Sequence, residues 1–340
     1  MPGRDQRIAA IDMTKGVAIA WVMLIHARVL QGSAWMEHLV DDAVPVFVVI
    51  FGLNAEQWWA RASGASAVAW WERSLRRLLV PLWAMLPLWW AGDLLVRRVV
   101  EPSWPLVAGN LAGWLPNVGT GWFVTLAVQL VVAWPLAHAV VRRLDDRRLL
   151  LLATAWVAAS VDLLPELLAT MGRTGYVLSA PVRFGGHALA GAWLARRLGE
   201  ALEPGFALAS FASWCMAVLI QELPVPAAAA GCAGRAAEVL LAAWLLGSTN
   251  ALSGVDAIRR PLSWLGVRSW GLYLGQMLVH SWVFFALGSY AAFRGGPAAW
   301  LYAAILLAGA IVLVVVGERG RAVFRAALDR GRERRAPGGP

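Results

Sequence analysis

Apolar runs of about bilayer length recur along this chain, at 8–30, 43–60, 78–96, 119–141, 149–168, 176–195, 205–221, 227–247, 264–288 and 297–317. A run of roughly 20 apolar residues crosses hydrocarbon only as a helix, because lipid offers no partner to an open backbone. The other spanning form, a closed barrel, would show segments of about ten residues with alternating hydrophobicity, and these do not occur. The expected fold class is therefore all-α, a polytopic transmembrane helical bundle of about ten spans. Composition agrees: 59% hydrophobic against 15% charged residues, with a mean hydropathy of +0.60, excludes an ordinary water-soluble domain.

The net charge of +9 raises nucleic acid as a partner. Most of the 30 Lys and Arg residues, however, fall in alternate connecting segments and in the tail, which is how a membrane bundle is oriented. Both termini are expected in the cytoplasm, in a multi-pass protein of the cell membrane with the lipid bilayer and no nucleic acid as partner. Residues 1–318 form the expected membrane domain and 319–340 a basic cytoplasmic tail near anionic lipid. The first run carries charges and lacks a small-residue cleavage site, so it reads as a retained helix. Trp58, Trp59, Trp70, Trp71 and Trp104 lie near run ends and read as an interfacial belt. Cys215 and Cys232 have no metal-ligand spacing and read as packing residues, with no metal expected.

Polar groups inside such runs need a partner or a task. The first run contains Asp12, Lys15 and His26. Lys15 and His26 are eleven residues apart, so they share one stripe of a helix, with His26 roughly 16 Å further along the axis. Asp12, one turn before Lys15, lies on the same face. His26 is either a hydrogen-bonded packing residue or a base that works near neutral pH. Before the third run, Arg73, Arg76 and Arg77 stand at helical spacing, either anchoring topology or clamping a polyanion with guanidinium forks. Asp162 and Glu166, and likewise Arg183 and His187, form pairs four residues apart. They read as an ion-pair network between helices or as contacts to a polar acceptor. Asp93 and Glu238 are intramembrane groups with no evident task. The Pro- and Gly-rich stretch 102–122 interrupts any continuous helix and reads as an outer loop or re-entrant segment.

These residues resemble the acyltransferase-3 family of integral membrane acyltransferases. Ile11-Asp12-Met13-Thr14-Lys15-Gly16, followed by His26, looks like the family's opening signature. The stretch VPVFVVIFGL at 44–53 resembles its second-helix segment. Arg73-x-x-Arg76 before Pro81 resembles its arginine pair, Gly121-Trp122-Phe123 its Trp-Phe pair, and the stretch from Leu265 through Gly266, Ser269 and Tyr273 to Leu274 its late segment. The chain departs from the common pattern at Lys15, where Arg is usual except in a subgroup resembling fucose 4-O-acetylases. It departs again at Phe51-Gly52 and at Gln276, where the relatives carry Ser-Gly and His.

The resemblance implies transfer of an acyl group, often acetyl, from coenzyme A to a hydroxyl of a sugar, glycolipid or natural product. It implies His26 and Asp12 as the catalytic residues and Lys15, Arg73, Arg76, Arg77 and Trp122 as the donor-binding set. Asp162, Glu166, Arg183 and His187 are the expected acceptor contacts. The donor would be acyl-CoA, with acetyl-CoA the expected form. A transporter or flippase, built from the same intramembrane charges, and a catalytically silent membrane scaffold remain the competing classes.

Overall fold

The computed structural model describes residues 4–29, 34–62, 66–92, 104–113, 122–161, 180–287, 293 and 296–333. Among them every regular element is a helix and there is no strand. In chain order these are α1 (Arg4–Ala27), α2 (Ala34–Asp41), α3 (Ala43–Arg61), α4 (Ala67–Gly92), α5 (Trp104–Leu111) and α6 (Trp122–Val141). After α7 (146–161) come α8 (Ala180–Arg196), α9 (Leu198–Ala201), α10 (Pro204–Glu222), α11 (Ala227–Leu252), α12 (Asp256–Val267), α13 (Ser269–Leu287) and α14 (Gly296–Glu333).

Each of the ten apolar runs holds a helix in its described part. Among the described residues, six helical stretches are long and apolar enough to cross a membrane. They are Ala9–Ala27, His38–Arg61, Trp122–Val141, Pro204–Glu222, Ala227–Leu252 and Gly296–Val323. Among the rest, α4 carries Glu72, Arg73, Arg76 and Arg77 in its first half, and the described part of α8 has 17 residues.

Three boundaries differ from the sequence reading. The arginine triplet lies inside α4, which begins at Ala67 and continues through Pro81 and Pro87, so it does not precede the helix. The run 264–288 is broken at Arg268, whose φ of −101 and ψ of 6 separate α12 from α13. The interrupted stretch 102–122 contains the short helix α5, and 114–121 lie outside the described residues.

The first helix is central because its apolar residues feed three separate cores. Ile19, Val22 and Met23 join the largest, Ala10, Ile11 and Ala18 the second, and Ala27 a small cluster with Tyr302 and Leu306. Polar side chains reinforce one seam. The Thr14 hydroxyl lies 2.9 Å from that of Thr249, and Thr249 donates to the Ala10 carbonyl at 3.0 Å, which ties α1 to α11.

Two helix pairs approach backbone to backbone through glycines. A Cβ added to Gly16 would collide with the Leu262 carbonyl, and one added to Gly266 with the Asp12 carbonyl, so α1 and α12 touch through reciprocal glycines. Gly52 meets Ala188, and Gly191 meets Val49, in the same manner between α3 and α8. Small residues at such crossings allow the close packing on which helix association in lipid depends.

Two tryptophans of the expected belt are tied into the bundle. Trp70 is only 5% exposed, and its indole N–H donates to the Val131 carbonyl at 2.8 Å. That carbonyl is available because Pro135, four residues on in α6, has no N–H to bond it. Trp59 stacks on His138 with ring centroids 4.6 Å apart. The Trp104 side chain lies outside the described residues.

Candidate active site

A wide cavity of about 620 Å³ opens between α1, α3, α4, α6 and the α12–α13 junction. Lys15, Arg61, Arg73 and Arg77 line it, together with the faces of Trp58, Trp70 and Trp270. Arg73 and Arg77 are four residues apart and so share a face of α4. Arg76 does not line it. The arginine pair that shares a cavity is thus Arg73 with Arg77. Lys15 Nζ stands 2.5 Å from Asp12 Oδ1, and Gly266 packs on the Asp12 backbone just where the α12–α13 junction meets the cavity wall. A concave surface with several cations and flat aromatic faces is suited to a ligand that carries phosphates and a ring.

His26 belongs to a second, smaller cavity of about 280 Å³, lined also by Arg28, His280, Phe293 and Tyr302. Its Nδ1 lies 2.7 Å from the Val22 carbonyl. A carbonyl only accepts, so Nδ1 carries the hydrogen and Nε2 keeps its lone pair. That tautomer is the one a general base requires. His280 stands edge-on to His26 at a centroid distance of 5.4 Å, and its Nδ1 is 2.6 Å from the Tyr302 hydroxyl. Neither His280 nor Tyr302 is evident from local sequence, because α13 and α14 meet α1 only in the folded bundle. The single hint is that His280 lies one helical turn beyond Gln276, on the same face of α13.

The two cavities share no lining residue. On α1, the buried residues Ile19, Val22 and Met23 fall between Lys15 and His26, and on α13 Leu274, Met277 and Leu278 fall between Trp270 and His280. Asp12 is therefore placed with Lys15 and the wide cavity, roughly 21 Å along the helix from His26. It touches Lys15, not the imidazole.

Of the expected acceptor contacts, Arg183 and His187 line neither cavity. Asp162 and Glu166 lie outside the described residues. His187 is fully buried, with Nε2 2.6 Å from Glu238 Oε2, and the other Glu238 oxygen is held by Arg235 at 2.5 Å. Arg183 lies over the Phe184 ring at 5.2 Å and adds its charge to the field at Glu238. This cluster fastens α8 to α11, and Glu238, to which the sequence assigned no task, is its centre. Trp122 stacks on Phe184 at 6.0 Å and lines neither cavity. A second charged knot, also unforeseen, joins His138 to Glu56 at 2.9 Å, with Arg196 bridging Glu56 and the Val141 and Leu144 carbonyls. Among the described residues, no group of His, Cys, Asp or Glu is placed to hold a metal ion.

Comparison with known proteins places this geometry. No curated protein and no solved structure matches the chain. A family model described as an acyltransferase domain matches residues 8–319, which takes in the described walls of both cavities. With nearly its whole length matched, the chain belongs to the acyltransferase-3 family.

Proposed function

We propose that this protein is a cell-membrane O-acyltransferase of ten spans, with both termini cytoplasmic, that moves an acetyl group from cytoplasmic acetyl-CoA to a hydroxyl of a sugar, glycolipid or natural-product acceptor. Family membership supports the reaction class. The observation that carries the reading is the pairing of a basic, aromatic-lined cavity with an imidazole whose Nε2 has no hydrogen-bond partner among the described residues, both served by one helix.

In this reading Lys15, Arg73 and Arg77 hold the donor's phosphates, and Trp58 or Trp270 receives the adenine face. Asp12 positions Lys15. The acyl-bearing arm passes between α1 and α13, where Met23 and Met277 yield because an unbranched thioether changes rotamer easily. At His26, Nε2 takes the acceptor's hydroxyl proton as the oxygen attacks the thioester carbonyl carbon. The carbon–sulfur bond then breaks, and the departing thiolate takes the proton from the imidazolium. Arg183 and His187 serve as the lock between α8 and α11, and the acceptor meets the smaller cavity.

The test is direct. Purified protein in nanodiscs, given acetyl-CoA and a panel of hydroxyl acceptors, should release free thiol in an acceptor-dependent manner and form the acetyl ester. Protein that neither binds acetyl-CoA nor releases thiol, but shows substrate flux in vesicles, would make the transporter reading the right one.

A further inference from the structure

The first helix ends in an unusual way. Arg28 has a φ of +55, and it is the one non-glycine residue with positive φ among the described residues. Its N–H donates to the Ile25 carbonyl at 3.0 Å, and the Val29 N–H donates to the Leu24 carbonyl at 3.3 Å. These two bonds are the Schellman ending of a helix, in which the left-handed position is usually glycine. An arginine there works against local preference, and such outliers persist where surrounding structure or function holds them. Interaction with the helix dipole favours a cation near this end, but an arginine one residue earlier would have gained that without the left-handed backbone.

What the strained position achieves is placement. Arg28 lines the smaller cavity beside His26, His280 and Tyr302, and among the described residues no Asp or Glu lines it with them. No ion-pair partner of Arg28 occurs among the described residues. The stacked rings of Phe293 and Tyr302, with centroids 4.8 Å apart and planes 16° from parallel, form a flat apolar wall. The volume of about 280 Å³ lies at the small end of ligand pockets and suits about one sugar ring.

We infer that Arg28 is the specificity-determining residue for the acceptor, and that the acceptor is a hydroxyl compound about one ring in size that carries a carboxylate or phosphate. A guanidinium fork binds either group bidentately, and this fixes a neighbouring hydroxyl against His26 Nε2. The inference rests on the reading of His26 as the base of an acyl transfer.

Three probes separate the possibilities: methyl β-glucuronide, glucose 1-phosphate and the neutral methyl β-glucoside. Their affinities are measured by calorimetry on wild-type protein, Arg28→Gly and Arg28→Asn in nanodiscs, with thermal midpoints recorded alongside. Wild type should bind at least one anionic probe about tenfold or more tighter than the glucoside, and the tighter of the two identifies carboxylate or phosphate as the recognised group. Arg28→Gly should lose that margin while its thermal midpoint holds or rises, because glycine accepts the left-handed backbone. Arg28→Asn, which also tolerates that backbone, should behave alike. Equal affinity of wild type for all three probes, or a margin retained in both variants, would overturn the inference. Anion binding that persists without thiol release from acetyl-CoA for any acceptor would instead refute the transferase reading and leave the anion site standing.

Discussion

At the scale of single residues, the wide cavity distinguishes among three neighbouring arginines of α4, and the proposed donor site makes that distinction testable. Arg73 and Arg77 line the wide cavity while Arg76 does not. Removing a charge-assisted hydrogen bond costs about 1.5–3 kcal/mol, or roughly 10- to 100-fold in affinity. Arg73→Ala and Arg77→Ala should each weaken coenzyme A binding by about that factor, and Arg76→Ala by less than about twofold. Calorimetry on the three variants checks this, and equal losses at all three positions would favour simple topology anchoring. The sequence revealed the stripe of Asp12, Lys15 and His26 because helical spacing alone puts them on one face. It did not reveal His280 or Tyr302, since no periodicity links residues so distant in the chain. Nor could spacing choose between Arg76 and Arg77 as the partner of Arg73, because both i+3 and i+4 are neighbours on a helix.

At the scale of helices, two packing devices carry quantitative expectations. Gly52 lets α3 lie against the α8 backbone at Ala188. Gly52→Ala should destabilise the bundle by at least about 1–3 kcal/mol, as overpacking of a tight seam does, read as a lower thermal midpoint in detergent. An unchanged midpoint would mean that the seam is looser than described. The second device is the indole of Trp70 on the carbonyl that Pro135 leaves free. Trp70→Phe leaves that carbonyl unsatisfied and should cost about 1–3 kcal/mol. Adding Pro135→Ala supplies an N–H four residues on, so the double variant should recover part of the loss. Strict additivity in this cycle would contradict the coupling. Helix existence was legible from apolar length, whereas helix ends were not. Arg73, Arg76 and Arg77 sit inside α4, because good helix formers extend a helix beyond its apolar portion, and the break at Arg268 follows directly after Gly266 packs on α1. The inward packing of Trp70 was not legible for a related reason. Nothing in the sequence near Trp70 announces that a proline in another helix has freed a carbonyl for it.

At the scale of the whole molecule, the proposed orientation puts both termini in the cytoplasm, the wide cavity toward that side and His26 toward the other, so that the bundle would conduct an acyl group between them. Alternate basic connections imply this orientation. A protease-sensitive tag at the C-terminus should be protected in sealed right-side-out vesicles and cut in inverted ones; cleavage in the right-side-out preparation would reverse the assignment. The long helix α14 continues past residue 319 without a break to Glu333, so the basic tail begins as an extension of a membrane helix. The division into two cavities was not readable from the chain, since it depends on which side chains of α1 and α13 fill the space between Lys15 and His26. The central claim is that His26 performs the chemistry while Lys15 and the α4 arginines hold the donor. Acceptor-dependent thiol release and coenzyme A affinity, measured on the same nanodisc preparations of wild type and His26→Ala, test it most directly. The prediction is a loss of roughly 10²–10⁴ in transfer rate with donor affinity unchanged; a folded His26→Ala protein that transfers at the wild-type rate would contradict it.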